Sequence, residues 1–141
     1  MNLKDVVARG VTTAHAAVFR LTDGRVGGKL FGMPTLLITT TGRKSGKART
    51  TMLTTPMHDD DTVVLVASYG GDSRHPTWFL NLRDNPDVEV VLEGRTRRMK
   101  ARVASAEEKA TLWPQVIAGY KGYDAYQRRT DRDIPVVILE P

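Results

Sequence analysis

The stretch with the most chemistry in this chain is Thr39-Thr40-Thr41-Gly42-Arg43-Lys44-Ser45-Gly46-Lys47-Ala48-Arg49. It holds two glycines, a serine and four cations, Arg43, Lys44, Lys47 and Arg49, against a formal net charge of +5 for the whole chain. Gly42 and Gly46 let the backbone turn tightly and approach a ligand without Cβ interference. Successive N–H groups in such a turn form an anion-binding concavity. Arg43 and Arg49 add forked, permanently charged donors that match phosphate or carboxylate. The stretch reads as a grip for a phosphate or a polycarboxylate; a solvated hairpin turn that merely carries charge is the alternative. It is not a P-loop, because Lys47-Ala48 follows the second glycine where that motif has Lys-Ser/Thr.

Two further stretches carry candidate chemistry. In Ser68-Tyr69-Gly70-Gly71-Asp72-Ser73-Arg74-His75-Pro76-Thr77-Trp78-Phe79-Leu80-Asn81-Leu82, the glycine pair marks a sharp loop, and Pro76 suits the first turn of a short helix. The N–H groups of that helix start, beside Arg74 and His75, offer a second anion site. Trp78 and Phe79 either face a flat ring or fill the core, and core is the better reading for Phe79. Tyr120, Tyr123 and Tyr126 recur every third residue, close together on a turn or short helix. Spacing alone makes them a core stripe, whereas the intervening Lys121 and Gly122, next to Gly119, suggest a pocket wall.

Much chemistry is excluded. There are no cysteines, which removes disulfides, thiol catalysis and iron–sulfur clusters together. His15, His58 and His75 are scattered without metal spacing. No Gly-x-Ser-x-Gly elbow occurs, and no paired-carboxylate arrangement stands out. Asp59-Asp60-Asp61 reads as a hairpin turn rather than a metal site. An enzyme built on this chain therefore relies on a bound cofactor for the hard chemistry. That cofactor is expected to be anionic and to carry a flat ring.

The elements that must position these residues follow from patterning. The 141 residues, 40% hydrophobic and 26% charged, suit one domain with a single core. A pI near 9.7 favours anionic partners. No apolar run approaches the ~20 residues of a membrane span, and Met1 to Gly10 lacks a signal-peptide core, so a cytoplasmic setting is expected. Leu3, Val6, Val7, Val11, Ala14, Val18 and Leu21 share one side of an expected helix over 3–21. That helix packs on the domain or makes a peripheral membrane contact. Gly24 to Pro34 is expected to be flexible. Strands are expected over 35–40, 49–58, 62–67, 88–92, 95–104 and 135–140, with a hairpin turn at Glu93-Gly94. A capping box, Ser105-Ala106-Glu107-Glu108, opens a helix ending near Gly119. Adjacent hairpins with few long helices predict an α+β fold, an antiparallel sheet or barrel with helices packed outside.

At this point the chain resembles a known family. Leu36-Leu37-Ile38-Thr39-Thr40-Thr41-Gly42-Arg43-Lys44-Ser45-Gly46, Val66-Ala67-Ser68-Tyr69-Gly70-Gly71, His75-Pro76-Thr77-Trp78-Phe79-Leu80-Asn81-Leu82, Asn85-Pro86-Asp87-Val88 and Asp131-Arg132-Asp133-Ile134-Pro135-Val136-Val137 are similar, in order, to motifs of the deazaflavin-dependent nitroreductase family of actinobacteria. The resemblance implies a split β-barrel over 28–141, preceded by an N-terminal helix and linker over 1–27. It implies coenzyme F420 as cofactor, and hydride transfer from its reduced form to a quinone, an activated enone or a nitro-aromatic acceptor.

The resemblance also implies residue roles. Arg43, Lys44, Ser45 and Arg49 hold the cofactor's phosphate and acidic tail. Thr50, Thr51, Met52, Leu53 and Thr54 run beside the ring system. Val66, Ala67, Ser68 and Tyr69 contact the deazaflavin, and Thr77, Trp78, Phe79, Leu80 and Asn81 complete that wall. Tyr120, Tyr123, Tyr126 and Thr54 border the substrate. Ser68 and Tyr123 are the expected catalytic hydroxyls, and Tyr123 also lies near the cofactor. Thr54, Met52 and Tyr69 stand where the best-known nitroreductase has an aromatic residue, a proline and a lysine, so the pocket differs while the tail-binding loop is spared. The alternatives are a non-catalytic F420-binding carrier and an FMN-binding oxidoreductase on the same barrel. A nucleic-acid partner is not expected, because the basic strand 95–102 has no interleaved aromatics.

Overall fold

The structure is a computed structural model that describes residues 28–141. The helix expected over 3–21, with its membrane-contact reading, lies outside the described residues. Those residues form strands β1 (Lys29–Leu30), β2 (Met33–Thr41), β3 (Ala48–Thr54), β4 (Met57–His58), β5 (Val63–Val66), β6 (Asp87–Leu92), β7 (Arg95–Val103) and β8 (Val136–Glu140). The helices are α1 (Thr77–Asp84), α2 (Ala106–Gly119) and α3 (Gly122–Arg128), with a single 3-10 turn at Tyr69–Gly71.

All strand pairings are antiparallel, in the order β1-β2-β6-β7-β8-β5-β4, with β3 attached to β2. The sheet curls into the expected α+β half-barrel. Its interior holds Leu36, Ile38, Leu65, Phe79, Val90 and Leu139 among others. A second apolar cluster, around Val64, Val66, Val116, Tyr123 and Ile134, lies on the other side. β5 supplies both: Val63 and Leu65 to the first, Val64 and Val66 to the second. This explains its unbroken apolar run, since a strand covered on both faces has no wet side to alternate with.

Local sequence explains most boundaries. Glu93 and Gly94 both take left-handed backbone angles (φ 52° and 74°), as a two-residue turn that matches strand twist requires. Ser105 accepts from the Glu108 N–H at 3.2 Å, and Glu108 accepts from the Ser105 N–H at 3.0 Å; the capping box is present as expected. Asp59 accepts the N–H groups of Asp61 and Thr62, so the acidic triplet closes the β4–β5 turn.

Two expectations are corrected. The strand expected over 49–58 breaks at Thr55-Pro56, giving β3 and β4. Pro56 has no N–H for a ladder. The buried Thr55 hydroxyl instead lies 2.7 Å from the Val64 carbonyl and 2.8 Å from that of Met57. A Cβ on Gly119 would come within 2.6 Å of the Pro56 carbonyl oxygen, so the end of α2 seats directly on this corner. The stretch expected to be flexible up to Pro34 contains, from Lys29, the β1–β2 hairpin, whose turn residues Phe31 and Gly32 have φ of 55° and 79°.

Candidate active site

Two concavities meet on one side of the half-barrel. The first is a cationic cleft of about 370 Å³, lined by Gly42, Arg43, Lys44, Ser45, Arg49 and Thr50, with Thr77 and Asn81 from α1. The β2–β3 turn that forms it is built by its glycines. Gly42 donates its N–H to the Lys47 carbonyl and accepts that of Gly46, both at 2.8 Å. A Cβ on Gly42 would sit 2.7 Å from the Ser45 hydroxyl, and Gly46 adopts φ 70°. The turn is anchored from below by Asn81, 2% exposed. Its side-chain oxygen accepts the Arg43 N–H at 3.1 Å, and its amide donates to the Thr40 hydroxyl at 3.2 Å.

The second concavity is a cavity of about 420 Å³ with an aromatic wall. β3 supplies Thr51, Met52, Leu53 and Thr54 to its lining. Among the described residues β3 pairs with β2 alone, so its other edge offers backbone N–H and C=O groups to a ligand. Val66, Ser68 and Tyr69 come from the end of β5 and the following turn; Tyr120, Tyr123 and Tyr126 come from the α2–α3 corner. Thr51 and Trp78 line both concavities, so cleft and cavity form one continuous groove, charged at one end and aromatic at the other.

The tyrosines are a cluster with unequal roles. Tyr120 lies 5.1 Å from Tyr123, edge to face, and 6.2 Å from Tyr126 between ring centres. Tyr123 is 5% exposed and belongs to the second core cluster while its hydroxyl faces Thr54 at 3.4 Å and Met33 sulfur at 3.6 Å. Both readings of the spacing are thus met in one residue. Burial raises the Tyr123 pKa, opposed by the Thr54 hydrogen bond, so its hydroxyl stays protonated and able to donate. The hydrogen bond to Tyr126, 3.3 Å, raises the pKa of Tyr120, with burial adding to it.

Ser68 is 9% exposed and starts the 3-10 turn, yet its hydroxyl makes no cap hydrogen bond. Ser68 lines the cavity. The turn behind it holds three consecutive left-handed residues, Tyr69, Gly70 and Gly71, with φ of 45°, 63° and 84°. For Tyr69 that conformation is uncommon and strained.

Not every residue expected at the site reaches it. Ala67 and Phe79 are buried in the barrel interior and Leu80 packs against that cluster; none of the three lines either concavity. Arg74, expected beside an anion at the start of α1, turns back onto Asp72, with two hydrogen bonds at 3.1 Å. Those bonds hold the Asp72 carboxyl down at about 2. Conversely, Leu30, Phe31 and Met33 of the first hairpin line the cavity without having been expected there. Phe31 is 66% exposed and stacks on Tyr120 at 5.5 Å. The available signal was a glycine-containing turn flanked by apolar residues, Leu30-Phe31-Gly32-Met33.

The donor set fits F420: forked cations and turn N–H groups for a phosphodiester and glutamates, then a flat, largely apolar slot for a ring system. The F420H(2)-dependent quinone reductase family profile matches residues 11–141. An F420H(2)-dependent quinone reductase of Mycobacterium tuberculosis is 42% identical over 129 residues, 89% of this chain and 86% of that protein. Among solved structures, an F420-H2 dependent reductase is 40% identical with a TM-score of 0.69, covering 76% of this chain and 94% of its own. Another, described as a domain-swapped dimer, is 33% identical with a TM-score of 0.70, covering 92% and 98%. The groove, the curled sheet and these likenesses agree: the chain belongs to the F420H(2)-dependent quinone reductase family, oxidoreductases of coenzyme F420 on a split β-barrel.

Proposed function

We propose that this groove holds reduced F420 with its tail in the cationic cleft and its ring in the aromatic cavity, where a quinone takes the hydride. The observation that carries the proposal is the continuity of the two concavities across Thr51 and Trp78. Charge alone would bind any polyanion. A charged cleft beside an aromatic slot suits a ligand with an acidic tail and a ring.

Arg43, Lys44, Ser45 and Arg49 bind the phosphate and glutamyl groups. The free edge of β3 presents backbone donors and acceptors to the polar rim of the ring, and Val66 and Trp78 close on its faces. Bound reduced deazaflavin supplies a hydride equivalent. The chain's own task is then to seat the acceptor, exclude water and stabilise the negative charge that develops on a quinone oxygen. Ser68 has an uncommitted hydroxyl at the cavity wall, and Tyr123 keeps its proton; both can donate to that oxygen. Tyr120 and Tyr126 form the wall against which a flat acceptor packs. The substitutions at Thr54, Met52 and Tyr69 relative to the nitro-aromatic reductase type favour quinones and activated enones as acceptors.

Quenching of Trp78 and Trp113 by F420, titrated in parallel with FMN, tests the cofactor assignment; F420H2 oxidation with a series of quinones tests the reaction. Saturable binding of F420 with little response to FMN, and turnover with a quinone, is expected. Preference for FMN, or F420 binding without turnover on any quinone, enone or nitro-aromatic, refutes it.

A further inference from the structure

The turn that presents Ser68 and Tyr69 to the cavity is held from behind chiefly by a side chain that has no role in the groove, with a longer contact of 3.5 Å from Arg129 to the Gly70 carbonyl beside it. The Arg132 guanidinium donates through Nη2 to the carbonyls of Ala67 and Ser68, at 3.1 Å and 2.9 Å, and through Nε to that of Asp72 at 2.9 Å. Its Nη1 lies 3.2 Å from His75 Nδ1. The three carbonyls bracket the strained run Tyr69-Gly70-Gly71 on both sides. No carboxylate within ion-pair distance neutralises this half-buried cation among the described residues. Its hydrogen bonds go to backbone carbonyls and to one ring nitrogen.

Arg132 is itself fixed. Gln127 donates to its backbone carbonyl at 2.8 Å and accepts the Ile134 N–H at 2.9 Å. Lys109 reaches the Ile134 carbonyl at 2.7 Å. On the far side, Gly71 is pressed so closely that a Cβ there would meet the Tyr126 carbonyl at 2.9 Å. The turn is therefore confined between α3 and a forked donor. A planar fork presents five donors from three nitrogens in fixed directions, whereas a lysine presents three from a single nitrogen, so it cannot span carbonyls on both sides of the turn in the same way.

We infer that Arg132 is a positioning residue for hydride transfer: it locks the left-handed turn so that the Ser68 hydroxyl projects at the acceptor. The inference rests on the assignment of Ser68 proposed above. It predicts that Arg132 acts through Ser68, so the two residues share one effect on turnover.

The test is a double-mutant cycle read by F420H2 oxidation with a quinone, alongside the F420 dissociation constant. Arg132→Lys is expected to lower kcat by about tenfold through misplacement of the hydroxyl, while F420 affinity, set at the other end of the groove, changes less than about twofold. Ser68→Ala is expected to lower kcat to a similar degree. Adding Arg132→Lys to Ser68→Ala is expected to change little further, since contacting residues are non-additive. Arg132→Gln, which is shorter and keeps two donors on one nitrogen, cannot reach the Ala67 and Ser68 carbonyls that Nη2 holds and is expected to lower kcat at least as much as the lysine variant.

If Ser68→Ala slows turnover and Arg132→Lys multiplies that loss in full, the positioning role is overturned while the Ser68 assignment stands. If Ser68→Ala turns over like wild type, the Ser68 assignment is what falls, and the positioning role falls with it. Loss of F420 binding or of a cooperative melt in both Arg132 variants also overturns the inference, by making Arg132 a structural residue of the whole domain.

Discussion

Asn81 offers the sharpest test of how the cationic turn is built. Replacing it with alanine removes the acceptor of the Arg43 N–H and the donor to the Thr40 hydroxyl. Each such bond contributes roughly 0.5–1.5 kcal/mol net. The Thr40 hydroxyl is not orphaned, because the Arg49 carbonyl lies 3.5 Å away, and the Arg43 N–H gains access to water as the turn loosens. Alanine also fits the middle of α1 better than asparagine, returning about 0.5 kcal/mol of helix propensity. The net loss is therefore about 1–2 kcal/mol, and the melting temperature drops by roughly 4–8 °C for a chain of this size. The functional loss should be larger in proportion. The turn N–H groups and Arg43 no longer converge, so F420 affinity falls about tenfold, equivalent to 1.4 kcal/mol at about room temperature. Calorimetry and tryptophan quenching measure the two effects. Asn81→Asp separates geometry from charge: it keeps an acceptor for Arg43 but sets an anion beneath the grip, so it should bind F420 more weakly than the alanine variant. An alanine variant with unchanged melting and unchanged F420 affinity would refute the anchoring argument; an aspartate variant that binds better than alanine would refute the electrostatic one.

Other outcomes follow from the same geometry. Arg43→Ala with Lys44→Ala should weaken F420 binding at least about tenfold and make the remaining binding less dependent on salt; unchanged affinity in a titration removes the anion-grip assignment. Tyr123→Phe should cost less than about 1 kcal/mol of stability, because its hydroxyl bonds are long, yet lower kcat with quinone more than it alters F420 affinity. The reverse ranking assigns Tyr123 to the cofactor alone. His75 is held below its ordinary 6.5 by burial first, then by the Arg132 and Arg83 charges. The unfolded chain therefore binds the proton more readily, and the stability that neutral His75 contributes is present above about pH 6.5 and lost as pH falls through the lower folded value. Urea midpoints should decline toward about pH 5, and His75→Asn, which keeps an acceptor for Arg132, should decline less; equal slopes would place the effect on another group, and not on Glu89, whose carboxyl is raised by burial and so favours the fold as pH falls.

What the sequence made legible was local. Alternation and turn chemistry located β6, β7 and the Glu93-Gly94 turn, and the reciprocal bonds of Ser105 and Glu108 were written in their spacing. The break at Thr55-Pro56 was not legible as such, because its cause is distant: Val64 accepts the Thr55 hydroxyl, and Gly119 seats on Pro56. The groove behaves alike. The cationic turn is contiguous in sequence and was read from it, whereas the aromatic cavity gathers the first hairpin, β3, the β5 end and the α2–α3 corner. Phe31 and Met33 joined it through a fold that no window of sequence contains. Phe79 went the other way: its neighbour Trp78 lines the groove, and one step along α1 turns Phe79 into the barrel interior, as helical geometry dictates.

The placement of β8 has a consequence for how the molecule is made. Residues 136–140 are not at an edge but between β7 and β5, pairing Val137 with Val103 on one side and Val64 with Ile138 on the other. Until that stretch arrives, β5 and β7 each expose a bare row of hydrogen-bonding groups, and the half-barrel is split into two pieces with apolar strands at the gap. This strand, late in the chain, is thus the keystone of the sheet. Closure of the sheet waits on contacts between strands far apart in the chain, which slows folding. A chain cut before Val136 should not be a slightly weaker enzyme but a species with two sticky edges, prone to pair with copies of itself.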